Sequence, residues 1–241
     1  IVGAEALVRW RRPDGIVVRP EHFLPFYEKN GKIVELDFYV FEQVAAFLEK
    51  TKRSGITPVP VSVNVSALHA EDPQTTRRYL EILEKYKVDP GMLEMELKET
   101  DTIRYENIKD LLHSLQKAGF HTALDNFGVG SSFINLIADV SLNDVKLGRG
   151  FMEKCEKDYR GIGFLRQMIG MLKSLGFQVL CEGVESARQV EVLKTSGCDH
   201  VQGNWFSMPL SAKEFEKMLF LPGEIFCRCR KNEEHSTGGE A

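Results

Sequence analysis

The apolar residues of this chain fall into two kinds of segment that alternate from one end to the other. Short apolar runs predict buried strands, and longer segments with apolar residues three or four positions apart predict helices. The predicted strands are 3–10, 59–64, 93–99, 123–125, 144–147, 177–181 and 199–203. The predicted helices are 20–27, 33 to near 55, 73–86, 103–118, 132–138, 162–175, a segment through Val190 and Leu193, and 211–219.

This regular alternation of strand and helix indicates a parallel sheet with helices on its outside. The length of 241 residues is close to that of a (β/α)8 barrel. A closed barrel of this class has eight strands, whereas the pattern predicts seven. We therefore expect an α/β fold of the modified TIM (β/α)8 type, with the first barrel strand absent from this chain. We predict one barrel domain at 1–221 and a polar, disordered tail at 222–241.

Composition narrows the choice of partner and compartment. The formal net charge of −4 does not favour a nucleic-acid polymer or an anionic membrane surface as a partner. The five cysteines are scattered and odd in number, which is typical of reduced thiols in the cytoplasm. No apolar stretch is long enough to span a bilayer. We expect a cytoplasmic domain, with any membrane anchor in sequence outside this chain.

Charged and amide side chains recur where the predicted strands end. These residues are Glu5, Asn64, Glu96, Glu99, Asp125, Lys146, Glu182 and Glu185. Each one alone is most simply a solvated or ion-paired surface residue. Together they indicate a site, because carboxylates inside an apolar barrel are unfavourable unless they are paired or bind a metal. Oxygen ligands without a converging cysteine or histidine favour Mg²⁺ or Mn²⁺ over zinc.

The stretch around Asp125 is the centre of this predicted site. Asp125 ends a short apolar run and is followed by Gly128 and Gly130, which permit positive φ or close approach of the backbone to a ligand. Parallel α/β folds bind ligands at the carboxyl ends of their strands. An Asx turn that closes the strand is the alternative for this stretch taken alone. A further unusual feature is Glu94, two positions before Glu96, which makes one face of its strand partly polar.

Several short motifs occur in a definite order along the chain. They are Glu5-Ala6-Leu7 with Arg9-Trp10, Val-Ser-Val-Asn-Val-Ser at 61–66, Glu-Met-Glu-Leu-Lys-Glu-Thr at 94–100, Asp125 with Phe127-Gly128, Lys146, Glu-Gly-Val-Glu at 182–185, and Gln202-Gly203. A Glu-Ala-Leu triplet alone would carry no weight. The ordered set resembles the EAL-domain family of cyclic di-GMP phosphodiesterases over about residues 1–219. The resemblance implies a modified (β/α)8 barrel in which one early strand runs antiparallel.

The resemblance also implies a reaction and its metals. In the family, a metal-activated water attacks one phosphodiester of cyclic di-GMP and opens it to linear pGpG. Two divalent cations, Mg²⁺ or Mn²⁺, are implied, with Ca²⁺ as an inhibitor. The residues that match the first metal-binding set are Glu5, Asn64, Glu96 and Asp125, and Asn126 stands at a ligand position of the second metal.

Further roles follow from the same motifs. Lys146 matches a lysine that orients the attacking water and the phosphate, Glu182 matches a general base or a ligand of the metal-bound water, and Glu99 matches the anchor of the loop after Asp125. The residues that match ligand contacts are Leu7, Arg9, Asp37, Arg149, Glu185 and Gln202. The resemblance also implies a homodimer that pairs near Asn126, and an upstream sensor or cyclase-like domain in a longer protein.

Two departures from the family pattern bear on activity. The family has an aspartate where this chain has Asn126, and another where it has Gly148. A weakened second metal position predicts a slow phosphodiesterase, and the alternative is a degenerate receptor or regulatory domain that binds cyclic di-GMP without hydrolysis. Glu182 and Lys146 favour the enzyme, since a receptor needs no base, whereas Asn126 and Gly148 favour the receptor. A third alternative, an unrelated metal-dependent barrel enzyme, does not account for the ordered motifs.

Overall fold

The computed structural model describes residues 1–98, 105–128, 137–140 and 142–220. The strands in these ranges are β1 (Ala4–Glu5), β2 (Trp10–Arg11), β3 (Val17–Val18), β4 (Val61–Val65), β5 (Leu93–Lys98), β6 (His121–Phe127), β7 (Asp144–Leu147), β8 (Gln178–Cys181) and β9 (His200–Val201). β2 and β3 form an antiparallel hairpin. The other seven strands form one parallel sheet in the order β1-β4-β5-β6-β7-β8-β9.

The parallel sheet curls until its two end strands approach each other. Gln202, just after β9, donates a hydrogen bond from Nε2 to Glu5 Oε2 on β1, with a length of 2.7 Å. The central strands carry buried apolar residues such as Val63, Leu97 and Val145, as expected for strands covered on both faces. The predicted α/β fold of the modified TIM-barrel type, with seven strands in its sheet, is confirmed.

Helices alternate with these strands along the chain. They are α1 (Leu24–Lys29), α2 (Ile33–Arg53), α3 (Thr75–Tyr86), α4 (Tyr105–Lys117), α5 (Arg149–Cys155), α6 (Tyr159–Ser174), α7 (Ala187–Thr195) and α8 (Ala212–Phe220). Gly119 and Gly176, where the sequence predicts helix ends, both have φ of +92°, a conformation that glycine adopts without strain. Among the described helices, none combines the length and the apolar character needed to cross a membrane.

The prediction of a single first strand at 3–10 is wrong. β1 ends at Glu5, and Trp10 belongs to the hairpin instead. A turn causes this division: the backbone N–H of Arg12 donates to the carbonyl of Ile16 at 2.9 Å, and Gly15 has φ of +85°. The segment that looks like one strand therefore contributes to two different sheets.

The helices also differ from the prediction in two places. The sequence pattern does not predict α5, because its seven residues are too few to establish a helical period. α6 begins at Tyr159 rather than at residue 162, since the side chain of Asp158 caps it by accepting a hydrogen bond from Gly161 N at 2.8 Å. Most of the predicted helix 132–138 lies outside the described residues.

Candidate functional site

The register of the sheet places the predicted site residues at one end of the barrel. Asn64 on β4 lies directly beside Glu96 on β5, and Lys98 lies beside Asp125 on β6. Glu182 follows the last residue of β8. Because all these strands are parallel, their carboxyl ends meet at the same mouth of the barrel. The predicted convergence of strand ends is therefore present in the fold.

Glu5 joins the first and last strands of the sheet. Its Oε1 accepts a hydrogen bond from Asn64 Nδ2 at 3.3 Å, and its Oε2 accepts the bond from Gln202. Two predicted metal ligands and one predicted ligand contact are thus brought together. The two amides hold both oxygens of the Glu5 carboxylate between the first and last strands of the sheet.

Lys146 lies at the centre of a buried network of charges. Its side chain is 1% exposed, and its ammonium contacts Glu96 Oε1. The same nitrogen lies 2.8 Å from Glu94 Oε1 and donates to Ser62 Oγ at 3.1 Å. A buried ammonium needs such partners, because an unpaired buried charge is strongly destabilising. Burial favours the neutral amine, yet the charges of Glu96 and Glu94 outweigh it and raise the pKa of Lys146.

Glu94 is a residue of this network that the predicted site residues do not include. Ser62 Oγ donates to the same Glu94 oxygen that faces Lys146, at 2.7 Å. The signal was present in the sequence, since Glu94 and Glu96 stand two positions apart and therefore on the same face of β5. The polar face of that strand is explained by the lysine on β7 that both carboxylates surround.

Glu182 and Asp125 hold their protons more strongly than free carboxylates do, because the pKa of each is raised. Burial, together with the negative charges of Asp125 and Glu5, raises the pKa of Glu182 to about 8. Burial also raises the pKa of Asp125, although the charge of Lys98 opposes it. The described residues of the mouth thus include more acidic groups than Lys146 can balance. A bound cation would neutralise the remaining negative charge.

A pH dependence of stability follows from the raised pKa of Glu182. The folded chain keeps this proton up to about pH 8, whereas the unfolded chain loses it near pH 4.3. Its contribution to stability is complete below the unfolded pKa and is lost as the pH rises through 8. We expect the free energy of unfolding, measured by urea titration in a chelator, to fall by about 2–4 kcal/mol between pH 5 and pH 8. Glu182→Gln should flatten this slope, and an unchanged slope in that variant would contradict the assignment.

The oxygen atoms of the mouth fit a hard divalent cation. Asn64 Oδ1, Glu96 Oε2 and Asp125 Oδ1 are buried side-chain oxygens without a hydrogen-bond partner among the described residues. A buried oxygen left in this way is unfavourable, and carboxylate and amide oxygens are the ligands that Mg²⁺ and Mn²⁺ prefer. Within the described ranges, no three Asp, Glu, His or Cys side chains already form a metal-binding group. The ammonium of Lys146 holds the other oxygen of Glu96 instead.

Asn126 lies beside Asp125 but does not direct an oxygen at it. Its Nδ2 donates to Asp125 Oδ2 at 3.0 Å. The side chain of Asn126 is exposed, while Asp125 is buried. At the predicted second metal position, the group nearest to Asp125 is therefore an amide donor.

The predicted ligand contacts differ in how far they are exposed and in which partners hold them. Arg149 binds Glu185 through two hydrogen bonds, from Nη1 at 2.8 Å and Nη2 at 3.2 Å. Leu7 and Arg9 are exposed just beyond β1. Asp37 is 8% exposed, and its Oδ2 accepts from the backbone N–H of Ser66 at 2.8 Å and lies 3.2 Å from His69 Nε2. Glu99 lies outside the described residues.

The fold and the mouth define a class of protein: a TIM-barrel-like α/β domain with a lysine-bridged group of carboxylates at the carboxyl ends of its strands. The sequence profile of the EAL domain family matches residues 1–209. The chain belongs to the EAL domain family, and the resemblance inferred from its motifs is confirmed.

Curated relatives are longer than this chain. It is 29% identical over 220 residues to the signaling protein YkoW of Bacillus subtilis, covering 91% of this chain and 27% of YkoW. It is 28% identical over 218 residues to the cyclic di-GMP phosphodiesterase PA2567 of Pseudomonas aeruginosa, covering 90% of this chain and 37% of the relative. The chain thus spans roughly a third of the length of these relatives.

Among solved structures, the chain is similar to the phosphodiesterase PaMucR in complex with c-di-GMP. The TM-score is 0.81 and the identity 27%, and the match covers 89% of this chain and 87% of that one. Because the match covers most of both chains, it supports the assignment of this chain as a barrel domain.

Proposed function

We propose that this domain binds cyclic di-GMP at the mouth of the barrel and hydrolyses one of its phosphodiesters to linear pGpG. The observation that carries the proposal is a set of three buried oxygens that have no hydrogen-bond partner in the described part of the chain. They lie next to a lysine ammonium, at the strand ends where this fold binds ligands. The names of the relatives support the choice of substrate, since PA2567 is called a cyclic di-GMP phosphodiesterase and PaMucR was solved with c-di-GMP.

The residues of the mouth suit the roles that the reaction needs. Glu5, Asn64, Glu96 and Asp125 would hold Mg²⁺ or Mn²⁺, which when bound lowers the pKa of water and neutralises phosphoryl charge. Lys146 keeps its proton, and because its three N–H groups already face Glu94, Glu96 and Ser62, it would act on a bound phosphate through its charge. Its charge is secured by the two glutamates of β5.

Glu182 is the proposed general base. The water oxygen forms a bond to phosphorus and its proton passes to the Glu182 carboxylate. The bond from phosphorus to the 3′ oxygen breaks, and that oxygen takes up a proton from solvent to become a hydroxyl, so the 5′ phosphate stays on pGpG. With a pKa of about 8, Glu182 is mostly protonated near neutral pH in the chain alone. Positive charge in the mouth would lower this pKa and make Glu182 a base in the working range.

Ligand contacts would come from the rim of the mouth. Arg9 presents an exposed guanidinium just after β1, held by a 2.8 Å hydrogen bond from Nη1 to the carbonyl of Val8. A planar guanidinium binds a phosphate through paired hydrogen bonds. Arg149, Glu185 and Gln202 complete the proposed contacts. We also propose a cytoplasmic domain that forms a homodimer and works within a longer signalling protein.

Binding and turnover of cyclic di-GMP together test this function. We expect calorimetry in Ca²⁺ to detect binding, and chromatography in Mg²⁺ or Mn²⁺ to detect pGpG. Arg9→Ala should weaken binding about 10-fold or more, since a hydrogen bond to a charged group contributes about 1.5–3 kcal/mol. The matched control is Arg12→Ala in the hairpin turn, where the arginine pairs with Asp14 instead. No binding by the wild-type chain at high micromolar ligand, or an equal loss in both variants, would contradict the proposed site.

A receptor that binds without hydrolysis is the second candidate. The observation that favours it is the amide of Asn126, which faces Asp125 with a hydrogen-bond donor rather than with a ligand oxygen. Binding of cyclic di-GMP in Ca²⁺ with no pGpG after prolonged incubation in Mg²⁺ and in Mn²⁺ would establish the receptor.

A further inference from the structure

The two departures from the family pattern, Asn126 and Gly148, touch each other in the structure. A Cβ added at position 148 would lie 2.6 Å from Asn126 Oδ1 and 3.4 Å from Asn126 Cα. Heavy atoms do not approach to 2.6 Å without displacement of one of them. The side chain of Asn126 thus occupies the space that any other residue at 148 would need.

The glycine at 148 is explained by the limited space around it. The backbone conformation of this residue does not require glycine. Gly148 has φ of −68° and ψ of 155°, a conformation that every residue adopts. An alanine there would meet no backbone strain. The requirement for glycine at this position comes from its neighbour on β6.

A bulge in β6 places Asn126 where it can make both contacts. Leu124 pairs with Val145 and Phe127 pairs with Leu147, so β6 has one more residue than β7 across this interval. Asn126 has φ of +58°, one of two non-glycine residues with positive φ in the described part of the chain. Asparagine tolerates this conformation better than most residues, and bulges of this kind redirect side chains beside functional sites.

The amide of Asn126 then acts on Asp125. Its nitrogen must face the carboxylate, which can only accept, so Nδ2 donates to Oδ2 at 3.0 Å and the amide oxygen faces Gly148. Asp125 is 4% exposed, and its other oxygen, Oδ1, is buried without a hydrogen-bond partner among the described residues. One oxygen of Asp125 is thus held in place, and the other is left for a ligand.

We propose that Asn126 is a positioning residue that orients Asp125, and that Gly148 is required because it makes room for Asn126. The inference rests on the proposed function for its cation site. Asn126 and Gly148 are then one structural unit rather than two independent losses. A substitution at 126 therefore changes which residues fit at 148, and a larger residue at 148 displaces the side chain at 126.

One substitution, Gly148→Ala, made in the wild-type chain and in the Asn126→Gly variant, tests the contact. Gly148→Ala should lower the urea midpoint of the wild-type chain, because alanine collides with the Asn126 amide. In the Asn126→Gly background the same substitution should raise the midpoint, because alanine fits the backbone of residue 148 and restricts the unfolded chain. Glycine at 126 suits the positive φ of that position. An equal loss in both backgrounds, or no loss in the wild type, would overturn the contact.

Mn²⁺ affinity tests the positioning role in the same variants of the 241-residue chain. Asn126→Gly should weaken Mn²⁺ binding about 10-fold by calorimetry, the usual effect of removing a group that orients a metal ligand. Lys87→Gly is the matched control, since Lys87 has φ of +53° at the end of α3, and its Mn²⁺ affinity should equal that of the wild type.

The outcomes separate this inference from the proposed function. A wild-type chain that binds Mn²⁺ and forms pGpG, with an Asn126→Gly variant of equal Mn²⁺ affinity, overturns the positioning role alone. A wild-type chain that binds no Mn²⁺ overturns the cation site and the positioning role together. The urea measurements decide the fit between Asn126 and Gly148 in either case.

Discussion

Glu5→Ala is expected to abolish turnover of cyclic di-GMP and to weaken Mn²⁺ binding. The substitution removes a carboxylate that accepts hydrogen bonds from Asn64 and Gln202, so both amides lose their acceptor at the junction of the first and last strands. It also removes one of the negative charges that would balance a divalent cation. If the cation contributes about 4 kcal/mol to the barrier, turnover falls by about 10³-fold.

Two measurements check this result. Calorimetry with Mn²⁺ reports the site directly, and chromatography of pGpG reports turnover. Glu21→Ala removes an exposed glutamate in the turn before α1 and should change neither. If Glu5→Ala bound Mn²⁺ as tightly as the wild type, the assignment of the cation site to the barrel mouth would lose its basis. Urea titration of the variant ensures that lost turnover is not lost folding.

Asn126→Asp is expected to raise kcat. Glu5, Glu96 and Asp125 supply three negative charges, and an aspartate at 126 would add a fourth to balance two divalent cations. A neutral amide oxygen is a weaker ligand for a hard cation. If a firmly bound second cation lowers the activation barrier by about 3–5 kcal/mol, the variant gains about two to four powers of ten in kcat. The gain should be greatest at low metal concentration, with little change in affinity for cyclic di-GMP.

The structure adds a second readout for the same variant. A carboxylate at 126 would lie where the amide nitrogen now approaches Asp125 Oδ2 at 3.0 Å, so two like charges would face each other. Asn126→Asp should therefore be less stable than the wild type in a chelator and regain stability as Mn²⁺ is added. Asn126→Gly, which removes the amide without adding a charge, should show no gain in kcat.

No gain at saturating Mg²⁺ or Mn²⁺ would show that the second-metal argument is wrong. The missing acid at Gly148 or a receptor function would then account better for low activity. The contact between Asn126 and Gly148 determines how these two explanations of low activity can be separated. An acid at 148 would collide with the side chain of Asn126, so Gly148→Asp is tested in the Asn126→Gly background, where a gain in kcat would assign the low activity to the missing acid at 148.

Much of the fold and of the candidate site follows from local patterns in the sequence. The strands β4 to β9 of the main sheet and the helices α2, α3, α4 and α8 lie close to their predicted bounds. Their apolar periods depend only on neighbouring residues, which is why a sequence reveals them. The predicted residues at the strand ends also lie at one mouth where the structure describes them, because parallel strands point their carboxyl ends the same way.

The parts that were missed depend on contacts between distant residues. The strand predicted at 3–10 divides because a turn closes a hairpin, and α5 is too short to show a period. The partners of Asp37 were not predicted either: its carboxylate accepts a hydrogen bond from Ser66 N and lies 3.2 Å from His69 Nε2. None of these partners is visible in the spacing of residues along the chain.

The sequence by itself determined the family and the barrel, and it predicted which residues stand at the ends of the strands, because these are properties of motifs and of short-range apolar periods. Only the tertiary structure decided how those residues pair. Lys146 meets Glu94 and Glu96 because the pairing of β5, β6 and β7 brings their side chains into contact inside the barrel. Asn126 meets Gly148 because a bulge adds one residue to β6. Register and bulges are set by the packing of the whole sheet, and so no local segment of the sequence specifies them.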